Sequence, residues 1–127
     1  MNLKLYPIAT TEITEQNAVE QAGKLWQSVA DKLPKAVRYG VYHHYTENGC
    51  QYSIATELDL GGELAPIDID LSWHERFLTN TELLGETWQH IIRKGKQGLL
   101  KRAFTVDVEK YTRDGTVEVF VAVSPHC

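Results

Sequence analysis

Glu109 is the acidic residue whose surroundings in the sequence could most directly support chemistry. It lies in the middle of residues 105–111, where polar and apolar residues alternate, so a β-strand is predicted with Tyr111 on the same face. A carboxylate among aromatic rings favours a cation, since a desolvated cation–π contact contributes about 2 kcal/mol. The alternative interpretation is a solvated face on which Glu109 is one surface charge among many.

His43 is the second residue with catalytic potential. It could form an acid–base pair with Glu109 if the two halves of the chain meet across a twofold axis, or it could be purely structural. No nucleophile or phosphate-loop motif occurs, and the adjacent His43 and His44 lack the spacing of metal ligands. We therefore predict a binding site with no catalytic residues, no metal and no cofactor, and keep an enzyme as the alternative.

The composition excludes several classes of protein. The chain has 127 residues, of which 43% are hydrophobic and 24% charged, as in a single globular domain. A formal net charge of −4 argues against direct nucleic-acid binding, and the basic residues that follow the second helix are expected to complement its dipole. No apolar run approaches about 18 residues, and the beginning of the chain does not resemble a signal peptide. We predict no membrane association and a cytoplasmic location.

Two pairs of segments resemble each other in the same order along the chain. Residues 23–29 align with residues 85–91, and residues 45–49 align with residues 111–115. These matches predict one domain over residues 1–127 that contains two repeats, of about residues 1–62 and 63–127. Each repeat reads as strand, helix, strand, strand, which predicts an α+β fold.

The spacing of apolar residues predicts the elements of both halves. Amphipathic helices are predicted over about Asn17–Leu33 and Thr81–Lys94, each with a central tryptophan. Trp26, in the first helix, is expected to anchor the core. Residues 67–77 alternate between apolar and polar and predict one half-buried strand.

Two turn dipeptides set the predicted register of the hairpins. Asn48-Gly49 and Asp114-Gly115 are typical of two-residue type I′ turns. The registers that follow pair Tyr45 with Tyr52, His43 with Ile54, Glu109 with Phe120 and Val108 with Val121. The face that carries Glu109 would then also carry Asp107, Tyr111, Phe120 and Ala122, with Tyr39, Val41, His43 and Tyr45 on the corresponding face of the first hairpin.

Three segments carry a resemblance to a known family: Tyr-His-His-Tyr at 42–45, Gly-Glu-Thr-Trp-Gln-His-Ile at 85–91 and Thr-Val-Asp-Val-Glu-Lys-Tyr at 105–111. They resemble the GyrI-like small-molecule-binding domains, which also serve as effector-binding domains of AraC-type and MerR-type multidrug-responsive transcription regulators. The family pattern near the C-terminus is Asp, an aromatic residue, Glu, any residue, Tyr, and here Val108 replaces the aromatic residue. His74 likewise replaces the tyrosine of a Tyr-x-x-Phe strand, whereas Phe77 remains.

The resemblance implies a tandem pair of strand-helix-strand-strand units, with a curved antiparallel sheet and two helices that frame a ligand groove. The family's central acidic residue matches Glu109, which would contact cationic, lipophilic ligands between aromatic side chains. The residues predicted to bind ligand, from the resemblance and the hairpin faces together, are Glu109, Trp88, Tyr111, Tyr45, Trp73, His43, Tyr39 and Phe120.

Three functional hypotheses follow. The first is a stand-alone bacterial module that binds amphipathic, cationic aromatic compounds and is linked to transcription regulation or drug resistance. Regulators of the family carry a helix-turn-helix on the same chain and none fits here, so the signal would pass to another protein, or the chain would act simply by binding or consuming the compound. A protein partner or a homodimer is the expected assembly. The second is a GyrI-like hydrolase of electrophilic small molecules that uses Glu109, and the third is an interaction module of the gyrase-inhibitor type.

Overall fold

The computed structural model describes residues 2–124 and shows one curled antiparallel sheet with two α-helices, which confirms the predicted α+β class. The strands are β1 (Asn2–Ile13), β2 (Arg38–His43), β3 (Cys50–Thr56), β4 (Ile67–Asp70), β5 (His74–Asn80), β6 (Asp107–Tyr111) and β7 (Thr116–Ala122). The helices are α1 (Ala18–Val29) and α2 (Leu84–Lys96), and 3₁₀ turns cover Ala30–Lys32 and Leu71–Trp73. No helix within residues 2–124 has the length and apolar character needed to span a membrane.

The order of the strands explains why the sheet curls. The order is β4-β1-β3-β2-β6-β7-β5, so β4 and β5 lie at opposite ends of the sheet. Only the turn Leu71–Trp73 joins them. Because a residue extends the chain by at most about 3.5 Å, the facing ends of β4 and β5 lie within roughly 14 Å of each other. The prediction of one strand over residues 67–77 is therefore wrong, because the chain crosses there from one edge of the sheet to the other.

Both faces of the sheet are covered. The face opposite the helices holds a buried cluster of Leu5, Tyr39, Val41, Ala55, Ile69 and Val108. On the other face, α1 packs through Val29 against β1 and β3, and α2 packs through Ile91 against β7. The central strands β2 and β6 lie between the two helices in the strand order and form the floor of the space that separates them.

The register of the first hairpin differs from the prediction by three residues. Tyr42, not Tyr45, lies opposite Tyr52, and residues 44–49 form a longer connection in which His44 has a φ of 52°. Gly49 does not form the type I′ turn: a Cβ atom there would overlap the carbonyl oxygen of Ile13, so glycine is needed for the close approach to β1. A shift by an odd number of residues exchanges the two faces of a strand.

The second hairpin is shifted by one residue. Glu109 lies opposite Val119 rather than Phe120. The loop has three residues, 113–115, closed by a hydrogen bond from the Thr112 amide to the Thr116 carbonyl, and Gly115 takes the left-handed conformation at φ 87°. Glu109 and Tyr111 therefore share the helix-covered face of the sheet with the valines of β7, whereas Phe120 packs on the opposite face.

Candidate ligand-binding groove

A groove of about 1320 Å³ lies between α1 and α2, above the central strands. It is larger than the roughly 300–1,000 Å³ that is typical of small-molecule sites, and it is open to solvent. Aromatic side chains dominate its inner part: Trp26 from α1, Trp88 from α2, and tyrosines from β2, β3 and β6. The groove thus combines contributions from both halves of the chain.

Glu109 lies on the floor of this groove and is 2% exposed. Its carboxylate accepts four side-chain hydrogen bonds, two on each oxygen. Oε1 accepts from Tyr111 Oη at 2.7 Å and Tyr52 Oη at 3.0 Å, and Oε2 accepts from Trp88 Nε1 at 2.7 Å and Tyr42 Oη at 2.8 Å. Donors from four different elements therefore fix one carboxyl group in place.

The electrostatic surroundings of Glu109 are unusual for an acidic residue. None of the salt bridges within residues 2–124 involves it, so hydrogen bonds alone compensate its burial. Burial raises the pKa of Glu109 above the ordinary glutamate value, while the four hydrogen bonds act in the opposite direction. Burial also raises the pKa of Tyr42, Tyr52 and Tyr111, and the neighbouring Glu109 adds to this, so the three hydroxyls remain donors at neutral pH.

Each of the two helix tryptophans packs against a tyrosine from the other half of the chain. The ring of Trp26 meets Tyr111 edge-to-face at a centroid distance of 5.0 Å, and the ring of Trp88 meets Tyr42 at 5.1 Å. Trp26 Nε1 also donates to Tyr52 Oη at 2.9 Å, and that hydroxyl in turn donates to Glu109. Trp26 is thus part of the groove as well as of the core beneath α1.

Gly40 provides the space that this arrangement needs. It lies directly opposite Glu109 in the pairing of β2 with β6. A Cβ atom at residue 40 would overlap the hydroxyl of Tyr52 and lie 2.7 Å from Glu109 Oε1. Any larger residue would displace the carboxylate or one of its donors.

A buried ion pair lies beside the groove, which Arg102 and Tyr45 help to line. Asp107 is fully buried and accepts from Tyr45 Oη at 2.6 Å, Arg102 Nη2 at 2.9 Å and the Ala122 amide at 2.9 Å. The Arg102 guanidinium also lies 4.4 Å from the ring centroid of Phe104. The guanidinium also lies 5.7 Å from the ring centroid of Trp88, so one ring of the groove already contacts a cation of the protein itself. Asp107 is the salt-bridge partner of Arg102, and no salt bridge within residues 2–124 includes Glu109.

The structure brings together four of the eight residues predicted to bind ligand: Glu109, Trp88, Tyr111 and Tyr45 all line the groove. Tyr39, His43 and Phe120 instead lie on the opposite face, because the true registers reverse the faces assigned to them. Trp73 lies in the 3₁₀ turn between β4 and β5, 58% exposed and away from the groove. Tyr42, Tyr52 and the groove contact of Trp26 were not predicted from the sequence. The correct register of the first hairpin would have placed the two tyrosines in the groove.

His43 is separated from Glu109 by the sheet, so the two do not form the hypothesised acid–base pair. Its Nε2 lies 2.7 Å from Ser53 Oγ and its Nδ1 lies 2.8 Å from Nδ1 of His44. Burial, together with the neighbouring His44, lowers the pKa of His43 to about 4. Within residues 2–124, no group of potential metal ligands surrounds it or any other histidine.

This pKa shift makes protein stability depend on pH. Between pH 6.5 and pH 4 the unfolded chain binds a proton at residue 43 that the folded chain does not, so stability falls as the pH falls through this window. The loss is expected to be on the order of 2 kcal/mol. Urea unfolding at several pH values should show a smaller loss for His43→Gln, whereas His90→Gln, which changes an exposed histidine of α2, should behave like the native chain. Equal pH dependence in all three would contradict this account.

Comparison with known proteins identifies a similar fold. The structure is similar to an integron cassette protein, VCH_CASS2, from the mobile metagenome of Vibrio cholerae, with a TM-score of 0.78 and 20% sequence identity. The match covers 97% of this chain and 91% of that chain. At this level of identity the likeness shows the fold alone. No protein-family model and no curated protein matches the sequence.

Proposed function

We propose that this chain is a stand-alone, cytoplasmic, GyrI-like module that binds amphipathic cationic aromatic compounds in the groove between α1 and α2. The observation that carries the proposal is Glu109: a carboxylate on the floor of an open aromatic groove, held by four donors and free of any salt bridge within residues 2–124. Glu109 supplies the charge, and Trp26, Trp88 and the tyrosines supply the walls.

A buried carboxylate without a salt-bridge partner requires compensation of its charge. Removing an ionised group from water without an opposite charge is unfavourable, and buried acidic groups with a raised pKa concentrate at functional sites. A cation that enters the groove compensates the charge of Glu109 and stacks on the surrounding rings, whereas a neutral or anionic ligand gains neither interaction.

Binding accounts for the geometry better than hydrolysis does. A general base must accept a proton from water through a lone pair that is free to do so. A carboxylate has about four acceptor positions, and the protein's own donors take all four at Glu109. We therefore favour a binding module whose ligand-dependent signal passes to a separate protein or to a second copy of the chain, in transcription regulation or drug resistance.

The arrangement of the groove also supports the hypothesis of a duplicated unit. The pairing order β1-β3-β2 in the first half corresponds to β5-β7-β6 in the second. An axis through the Gly40–Glu109 pair would relate Tyr42 to Tyr111 and Trp26 to Trp88, the residues of the two crossed aromatic contacts. This axis makes Tyr42, and not Tyr45, the equivalent of Tyr111, so it differs by three residues from the alignment of residues 45–49 with 111–115. In this proposal a single carboxylate lies on the axis, and glycine occupies the equivalent position in the other repeat.

The test is a binding series with one aromatic group and three charges. Biphenylmethyl-trimethylammonium, biphenylmethanol and biphenylacetate would each be titrated while tryptophan fluorescence is recorded with excitation at about 295 nm. The cation is expected to bind at least about tenfold more tightly than the alcohol, a difference of about 1.4 kcal/mol, with the anion weakest. Quenching should persist in Trp73→Phe, because Trp26 and Trp88 line the groove and Trp73 does not. Tighter binding of the alcohol or the anion would refute the proposal.

A further inference from the structure

The hydrogen bonds that Glu109 already accepts limit the kinds of cation that can bind beside it. Two donors reach each carboxylate oxygen, at distances between 2.7 and 3.0 Å. An ionised carboxylate has about four acceptor positions in all. A ligand N–H group can therefore bond to Glu109 only by displacing a donor of the protein.

Two of these donors are difficult to displace. The indole N–H of Trp88 can only donate, so it would lose its partner without replacement. The hydroxyl oxygen of Tyr52 accepts a hydrogen bond from the indole N–H of Trp26. Tyr52 is also 1% exposed, so its hydroxyl has little room to move. Displacing either donor leaves a buried polar group unsatisfied, which is unfavourable.

The aromatic side chains around Glu109 favour a cation that does not need a hydrogen-bond acceptor. Trp26, Trp88, Tyr42 and Tyr111 are each half-buried and contribute their rings to the groove. A quaternary ammonium ion spreads its charge over methyl groups and interacts with ring faces and a nearby carboxylate without a hydrogen bond. A primary ammonium ion has three N–H groups that lose their water on entry, and the neutral tyrosine oxygens are weaker acceptors than a carboxylate.

We infer that the groove selects cations without N–H donors, such as quaternary ammonium ions, over primary ammonium ions of the same shape. The inference rests on the proposed function, because it assumes that the ligand is a cation held beside Glu109. It adds a specificity that charge alone would not give, since both kinds of cation carry the same charge.

The experiment compares biphenylmethyl-trimethylammonium, biphenylmethylammonium and biphenylmethanol by isothermal titration calorimetry on the full chain. The quaternary ion is expected to bind at least about tenfold more tightly than the primary ion and than the alcohol. If the quaternary ion outcompetes the alcohol but the two cations differ by less than tenfold, or the primary ion is tighter, the inference is wrong and the proposed function stands. If the alcohol binds as tightly as the quaternary ion, the proposed function fails and the inference fails with it.

A variant with one donor removed tests the cause of the selectivity. Tyr111→Phe frees one acceptor position on Oε1, so the preference for the quaternary over the primary ion should fall at least about threefold. Tyr42→Phe makes the same test on Oε2 if the first variant does not fold. Tyr6→Phe, a matched change in β1 outside the groove, should leave the preference unchanged. An unchanged preference in the donor variant would show that occupied acceptor positions do not determine selectivity.

Discussion

Replacing Glu109 by Gln is expected to weaken binding of the quaternary biphenyl cation at least about tenfold and to leave binding of the neutral alcohol nearly unchanged. The amide has almost the volume of the carboxyl group, so the shape of the groove is kept while the charge is lost. The amide oxygen should turn towards Trp88, which can only donate, and the amide nitrogen towards Tyr111 and Tyr52. The hydrogen bonds to Tyr111 and Tyr52 change for both ligands, so the loss of affinity for the cation beyond that for the alcohol measures the charge of Glu109.

The same substitution is expected to change how stability depends on pH. Because the pKa of Glu109 is raised, the folded chain binds more protons there than the unfolded chain between the ordinary glutamate value, near 4.3, and the raised value. Ionisation of Glu109 as the pH rises through that window lowers the stability of the native chain. The stability of Glu109→Gln relative to that of the native chain should thus be highest at neutral pH and decrease as the pH falls towards about 4.

Urea unfolding of both proteins at several pH values checks this expectation, and the titration of His43 cancels in the difference because both proteins contain it. Glu75→Gln, which changes an exposed carboxylate on β5, is the matched control and should alter neither affinity nor stability by much. A variant with lower affinity and higher stability would show that Glu109 is retained at the expense of stability, as expected for a binding residue. Equal losses of affinity for the cation and the alcohol would contradict the charge account.

Apart from Tyr45, the part of the site that could be predicted from sequence lies on the second half of the chain. The alternation of residues 105–111 placed Glu109 and Tyr111 on one face, and the apolar stripe of the second helix placed Trp88 on its packing face. Both predictions depend on local periodicity, which is insensitive to the pairing partner of a strand. Both predictions are therefore correct even though the predicted register of the second hairpin is wrong by one residue. The position of Trp88 near Glu109 was implied only by the family resemblance.

The first half could not be predicted in the same way, because its register depends on a tertiary contact. Gly49 follows Asn48 as in a type I′ turn, but it is required by the approach of β1, which is distant in sequence. The resulting shift of three residues exchanged the faces of β2, so Tyr39 and His43 were assigned to the groove in place of Tyr42. Gly40 was overlooked for a similar reason, since its role is visible only opposite Glu109.

Gly40→Ala is expected to disturb both the stability of the protein and its binding site. The added methyl group would overlap the hydroxyl of Tyr52, which cannot retreat easily because it is buried, receives a hydrogen bond from Trp26 and packs against Tyr42 at a ring distance of 4.8 Å. Overpacking of this kind costs about 1–3 kcal/mol. Moving Tyr52 or Glu109 to relieve the overlap should also weaken binding of the quaternary cation by about tenfold, as measured by calorimetry.

Two comparisons separate this close approach from the general effect of replacing a glycine. Gly23→Ala, at an exposed position inside α1 where the new methyl group meets nothing within 4 Å, should stabilise the protein by about 0.5–1 kcal/mol and leave binding unchanged. Adding Tyr52→Phe to Gly40→Ala removes the overlapping hydroxyl, so part of the stability should return. The affinity should not return, because the same change removes a donor to Glu109 and the acceptor of Trp26. Full recovery of affinity in the double variant would show that Tyr52 fills space without positioning the carboxylate.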